Sequence, residues 1–183
     1  MGTNYINKKV YQEVLLEFGD CNLILEKIPH INETRSKVLS DGTKGIKETR
    51  TSYQYDFYLE DFQKQMLLKK LKKLSIKDLP DKIRILKYTE GQKFTKHRDK
   101  NSKDFSDRFK TLIIQLSHEY EYEGGDLLVY ENDNVIKANK EKGSVILFNA
   151  ELYHEAKEII KGTRYVLVSW LSENDFDFKK NII

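Results

Sequence analysis

From Ile83 onward the apolar residues come in short runs separated by turn residues: Ile83–Tyr88, Thr111–Leu116, Asp126–Tyr130, Ser144–Phe148 and Arg164–Leu171. Each run has the length of a β-strand, and Gly91, Gly124-Gly125, Gly143 and Gly162 stand in the breaks, where turns need them. Short strands at even spacing with glycine turns predict a sandwich or jelly roll. The first half of the chain is mixed. Residues 60–74 carry Leu67, Leu71 and Leu74 at helical spacing, with Phe62 and Met66 beside them and lysines between. The pattern predicts a helix packed on its leucine face, with the lysines on the solvated side. Asp20 followed by Asn22–Ile28 reads as a capped helix start that ends before Pro29.

No repeat or shift of composition divides the chain. Its 183 residues read as one domain, with supporting helices and strands in 1–80, the strand-rich core in 81–172 and a short tail in 173–183. Eleven Tyr and nine Phe, against only two Pro and nine Gly, describe a chain that buries a real core. No apolar run is long enough to span a bilayer, and the polar first ten residues carry no secretory signal. Cys21 is alone, which excludes an intrachain disulfide and a cysteine-based zinc cluster. A soluble, intracellular, cytoplasmic protein is the expectation. The net charge of +3 is too small to imply nucleic acid or acidic lipid, and the oligomeric state is not legible.

The chemistry rests on few residues. His97 and Asp99 form a His-x-Asp pair beside an extended segment, and on a strand such residues share one face about 6.7 Å apart. His154, after the run Ser144–Phe148, is placed to supply a third ligand. Two imidazoles and a carboxylate on one face of an octahedron leave three positions open, which suits non-haem Fe(II). His97-Arg98-Asp99 also mimics a protein-kinase catalytic loop, but Asp104 stands where that loop needs Asn and no Asp-Phe-Gly follows. Alternation along the last run puts Arg164, Val166, Val168 and Trp170 on one face. A guanidinium at the head of an apolar face needs an anion, and a carboxylate matches its fork.

These residues sit in a longer pattern. Tyr88-Thr-Glu-Gly-Gln-Lys-Phe-Thr-Lys-His97-Arg-Asp99 resembles the Tyr-x-x-Gly-x-x-Phe-x-x-His-x-Asp segment of prolyl-4-hydroxylase-like, 2-oxoglutarate- and Fe(II)-dependent dioxygenases. The segments Arg108–Ser117, Tyr122–Leu127, Gly143–Phe148, His154 and Gly162–Trp170 continue the resemblance in order, with a looser echo at Arg50-Thr51-Ser52. The resemblance implies a mainly β fold with flanking α: a double-stranded β-helix (jelly-roll, cupin-like) core supported by N-terminal helices. It implies His97, Asp99 and His154 as iron ligands, and Arg164 as the clamp on the distal carboxylate of 2-oxoglutarate. Tyr88, Thr111 and Trp170 would complete the cosubstrate pocket. Where some relatives carry another tyrosine on the strand Arg108–Ser117, this chain has Gln115.

The implied reaction consumes 2-oxoglutarate and O₂, releases succinate and CO₂ and hydroxylates a C–H bond, with ascorbate as reductant. A prolyl or other residue of a protein or peptide is the implied substrate. Arg50 and Arg108 are the candidate substrate contacts, and Lys100–Arg108 reads equally as a flap over the substrate or as a solvated loop. Tyr53–Tyr58 reads equally as an aromatic contact at the barrel mouth or as a half-buried strand. His118 reads as a loop residue and His30 as structural. Two other functions are compatible with a jelly roll of this kind. A nucleic-acid dealkylating oxygenase would carry a second arginine where this chain has Trp170, and a non-catalytic metal-binding jelly roll would be expected to lack a ligand.

Overall fold

The computed structural model describes residues 5–28, 31–36, 38–40, 43–45, 50–100 and 105–178. His30, residues 101–104 of the charged insert and residues 179–183 of the tail lie outside them. The N-terminal part holds β1 (Val10–Val14), α1 (Phe18–Leu25), β2 (Thr34–Arg35), β3 (Val38–Ser40), β4 (Thr43–Gly45), β5 (Tyr53–Tyr58) and α2 (Asp61–Leu71). There follow β6 (Lys82–Thr89), β7 (Phe94–His97), β8 (Lys110–Gln115), β9 (Tyr122–Gly124) and β10 (Leu127–Glu131). The chain continues through β11 (Asn134–Lys137), β12 (Ser144–Asn149), β13 (Tyr153–Ala156) and β14 (Ile159–Leu171).

Among the described residues the larger sheet runs β1-β12-β8-β14-β6-β5-β2, with β9 joined to the start of β14. A smaller sheet runs β11-β10-β13-β7 and faces it, and β3 pairs with β4 alone. Every pairing is antiparallel. This is the jelly-roll core that the strand pattern predicts.

Two apolar clusters explain why the central strands read as unbroken apolar runs. Leu112 and Ile114 of β8, Val145 and Leu147 of β12, Ile83 and Ile85 of β6 and Leu167 of β14 pack outward against Leu67, Leu71 and Ile24 of the helices. The alternate residues Ile113, Ile146, Phe148, Leu86, Val166 and Val168 point between the sheets. A strand covered on both faces shows no alternation of polarity. Gly162 lets β14 pass under the turn before β9: its φ is +84°, and a Cβ there would lie 2.1 Å from the Glu121 carbonyl oxygen.

The helices differ in detail from the sequence pattern. α1 starts before Asp20, because Asp20 accepts a hydrogen bond from the Glu17 N–H (2.8 Å) and so closes the first turn from inside. Leu67 and Leu71 of α2 are buried, and Leu74 follows in a 3₁₀ turn. Phe62, expected on that face, is 53% exposed. No helix among the described residues is long and apolar enough to cross a membrane.

Candidate metal centre and its anion pocket

Two strands of the smaller sheet bring the histidines together. His97 ends β7, His154 lies on β13, and the two are direct partners across the ladder. Strand β13 was not legible in the sequence; His154 follows the run Ser144–Phe148 as expected and sits within this strand. Asp99 lies just past β7. Its N–H and that of Lys100 both donate to the Ala150 carbonyl (3.0 and 2.9 Å), which ties the turn to the end of β12.

The three side chains converge. One ligand atom from each of His97, Asp99 and His154 lies within 4.8 Å of the others. His154 Nε2 is 3.3 Å from Asp99 Oδ2, and His97 Nε2 is 3.7 Å from Asp99 Oδ1. Each ring turns its other nitrogen to a carbonyl, His97 Nδ1 to Thr95 (2.7 Å) and His154 Nδ1 to Leu152 (3.1 Å). A carbonyl only accepts, so Nδ1 carries the proton and Nε2 presents its lone pair inward. Phe94 stacks on His97 at 3.4 Å between centroids, and Phe148 packs edge-on to His154. Thr111 Oγ1 donates to Asp99 Oδ2 (2.7 Å).

Burial and mutual contact shift the protonation of all three groups. Burial pushes the His97 pKa down to about 3, and the neighbouring His154 pushes the same way. Burial alone would raise the Asp99 pKa, but His154, His97 and the Thr111 hydroxyl together hold it well below the usual carboxylate range. Burial lowers and Asp99 raises the His154 pKa, and Asp99 prevails. An ionised carboxylate between inward-facing imidazole nitrogens is the donor set of a divalent transition metal, with positions left open on the cavity side.

The cavity beside this centre encloses about 430 Å³ of space open to solvent. Leu86, Ile113, Leu127, Val166 and Val168 form its apolar wall, and Tyr88, Arg50, Arg164 and Trp170 also line it. Arg164 is 5% exposed and faces Tyr88 across the β14–β6 ladder. Its Nε donates to Gln115 Oε1 (3.1 Å), and among the described residues no carboxylate lies within ion-pair distance of it. Two more unsatisfied groups stand near. The Tyr122 hydroxyl is buried, feels the Arg164 charge and makes no well-formed hydrogen bond. Ser144 Oγ, equally unpartnered, lines a small cavity shared with Gln115 and Arg164. A buried cation with free hydroxyls around it fits a carboxylate ligand.

The other expected residues have different surroundings. Thr111 orients Asp99 instead of lining the cavity wall. Arg108 donates to the Asp99 carbonyl (3.1 Å) and lies 4.0 Å from the centre of the Trp170 ring. Arg50 is buried, bridges to Phe94 and covers its ring. Tyr53–Tyr58 forms β5, and His118 caps a 3₁₀ turn outside the site. Gln115 and Tyr122 had no assigned role in the sequence. Alternation from Thr111 places Gln115 on the inner face, but nothing local signals the position of Tyr122.

Residues 83–172 match the family model of the 2OG-Fe(II) oxygenase superfamily. A PKHD-type hydroxylase of Parvibaculum lavamentivorans is 31% identical over 91 residues, which cover 49% of this chain and 42% of that protein. The chain thus spans about two-fifths of the length of the curated relatives it matches. A crystal structure of a Pseudomonas putida prolyl-4-hydroxylase superposes with a TM-score of 0.71 at 15% identity, covering 93% of this chain and 96% of that one. A Trichoplax adhaerens prolyl hydroxylase, solved with a hypoxia-inducible-factor peptide fragment, gives 0.69 at 14% identity, covering 94% and 89%. At these identities the structural likeness is one of fold.

Proposed function

We propose that this chain, whose residues 83–172 match the 2OG-Fe(II) oxygenase superfamily, is such an oxygenase and hydroxylates a C–H bond of a protein or peptide, at a prolyl residue. The observation that carries this is the placement of an iron-type donor set and a buried, carboxylate-free arginine in one cavity. His97, Asp99 and His154 would hold Fe(II), and Arg164 would hold the distal carboxylate of 2-oxoglutarate. Bound iron, 2-oxoglutarate and O₂ supply the oxidising equivalent for inserting oxygen into a C–H bond, with succinate and CO₂ as co-products.

The chain's own residues prepare that chemistry. Thr111 fixes the Asp99 carboxylate, and the Thr95 and Leu152 carbonyls fix the imidazoles, so the centre needs little reorganisation on loading. Gln115 aims the Arg164 guanidinium. The apolar wall keeps water from the reacting carbon. A carboxylate in the ligand set favours hydroxylation over halogenation, since it occupies the position a halide would need.

The test is succinate formation from 2-oxoglutarate with Fe(II) and ascorbate, measured without substrate, with prolyl peptides and with single-stranded oligonucleotides. Stimulation by prolyl peptides and hydroxyproline in the product support the proposal. Stimulation by alkylated oligonucleotides alone would refute the peptide assignment.

A further inference from the structure

A second cavity adjoins the first. The β14–β6 ladder ends at the pair Val168–Arg84, while β14 stays joined to β8 through Leu171. Where β6 parts from β14, a cavity of about 470 Å³, open to solvent, is lined by Lys82, Arg84, Asp56, Ser169 and Trp170. Val168 and Trp170 belong to both cavities and stand at the boundary between them.

Its polar groups have one character. Ser169 is 2% exposed, and neither its Oγ nor the Trp170 Nε1 has a hydrogen-bond partner among the described residues. The indole nitrogen can only donate, and a buried donor without an acceptor is costly. Arg84 gives Nε and one terminal nitrogen to Asp56 (2.6 and 2.9 Å), and Lys82 lies 4.0 Å from the same carboxylate. Arg108 adds a third cation over the Trp170 ring. Lys82 and Arg84 thus share the single carboxylate of Asp56, Arg108 feels the more distant charge of Asp99, and the unsatisfied indole awaits an acceptor.

We propose that this cavity is a recognition subsite for a carboxylate side chain, Asp or Glu, next to the reacting residue of a peptide substrate. The inference rests on the oxygenase reading above and adds the chemical class of the substrate: an acidic peptide. The carboxylate accepts from Trp170 Nε1 and Ser169 Oγ, and the excess positive charge selects it over a neutral amide of the same shape.

Trp170 is the only tryptophan in the chain, so its indole ¹⁵N–¹H signal is identified without ambiguity, and loading the first cavity with 2-oxoglutarate beforehand leaves the peptide-induced shift to be read. The full chain, loaded with Zn(II) and 2-oxoglutarate, is titrated with acetyl-capped, amidated tetrapeptides carrying Pro beside Asp, and with the matching Asn peptides. The indole signal should shift downfield with the Asp peptides at least tenfold more tightly than with the Asn peptides. K82E and S169A should each weaken the Asp peptides at least fivefold while still showing the thermal shift given by 2-oxoglutarate, which certifies their fold. Equal affinity for Asp and Asn peptides, or no effect of K82E, would overturn the proposal. So would an equal indole shift with free acetate at the same concentration, or tighter binding of a single-stranded oligonucleotide. 2-Oxoglutarate binding is read separately from the melting temperature, so failure of the oxygenase reading appears there and failure of the subsite in the indole titration.

Discussion

Replacing Arg164 by methionine separates two effects that the native guanidinium combines. In the free protein the group is 5% exposed, bonded to Gln115 and without a carboxylate partner among the described residues. Methionine keeps most of the stem and removes a charge whose burial is unfavourable, at the cost of about 1 kcal/mol for the Gln115 bond. The ligand-free melting temperature should therefore fall by no more than roughly 2–4 °C for a chain of this size. Toward 2-oxoglutarate the same change deletes one partner of a buried, hydrogen-bonded ion pair. Such deletions cost about 2–5 kcal/mol, so Kd should rise from about 30-fold to several-thousand-fold. Wild-type protein at a hundred times Kd gains about 2.7 kcal/mol from the ligand, or roughly 5–11 °C in Tm. R164M at the same concentration should gain at most about 0.9 kcal/mol, a shift of no more than roughly 2–4 °C. Calorimetry of the Zn(II)-loaded protein, with and without 2-oxoglutarate, reads both effects. A full ligand-induced shift in R164M, or a ligand-free Tm far below the stated range, would refute the reasoning.

Y122F should leave the ligand-free protein nearly as stable as the wild type, because the hydroxyl it removes makes no well-formed hydrogen bond, and should weaken 2-oxoglutarate several-fold by titration calorimetry. T111V removes the hydrogen bond that orients Asp99 and should cost about 10–100-fold in metal affinity, measured with Co(II) by its visible absorption. Lys110 gives a pH signature. It is 1% exposed and donates to the Lys8 carbonyl and Asn149 Oδ1 (both 2.7 Å), and burial pushes its pKa down to about 8 from 10.5. Between those values the unfolded chain holds the proton and the folded chain has lost it, so stability should rise with pH by on the order of 3 kcal/mol. In K110M urea unfolding between pH 8 and 10.5 should lose that rise, and an unchanged slope would exclude Lys110 as its source.

The larger sheet was legible because its strands are buried on both faces and so appear as dense apolar runs, as in Lys110–Gln115 and Ser144–Asn149. Of the smaller sheet only β10 was, as the run Asp126–Tyr130. β7 (Phe-Thr-Lys-His) and β13 (Tyr-His-Glu-Ala) are short and mostly polar, with an outer face in water, and resemble loops by composition. The three side chains were nevertheless singled out, since imidazole and carboxylate identities do not depend on the strand that carries them. Phe62 was misplaced because helical spacing alone cannot say where the apolar stripe ends. Contacts made between elements far apart in sequence, such as Tyr122 beside Arg164 and Trp170 beside Arg84, have no local signature and emerge only from the fold.

In the proposed reaction His97, Asp99 and His154 bind Fe(II) next to a 2-oxoglutarate held by Arg164. An anaerobic absorption titration tests it most directly, because a 2-keto acid chelating Fe(II) produces a visible charge-transfer band. The wild-type protein with Fe(II) should develop this band saturably with 2-oxoglutarate. H154A should develop none, and R164M should need far higher ligand concentration. A folded wild-type protein that shows no band, or an H154A variant that keeps it, would contradict the account.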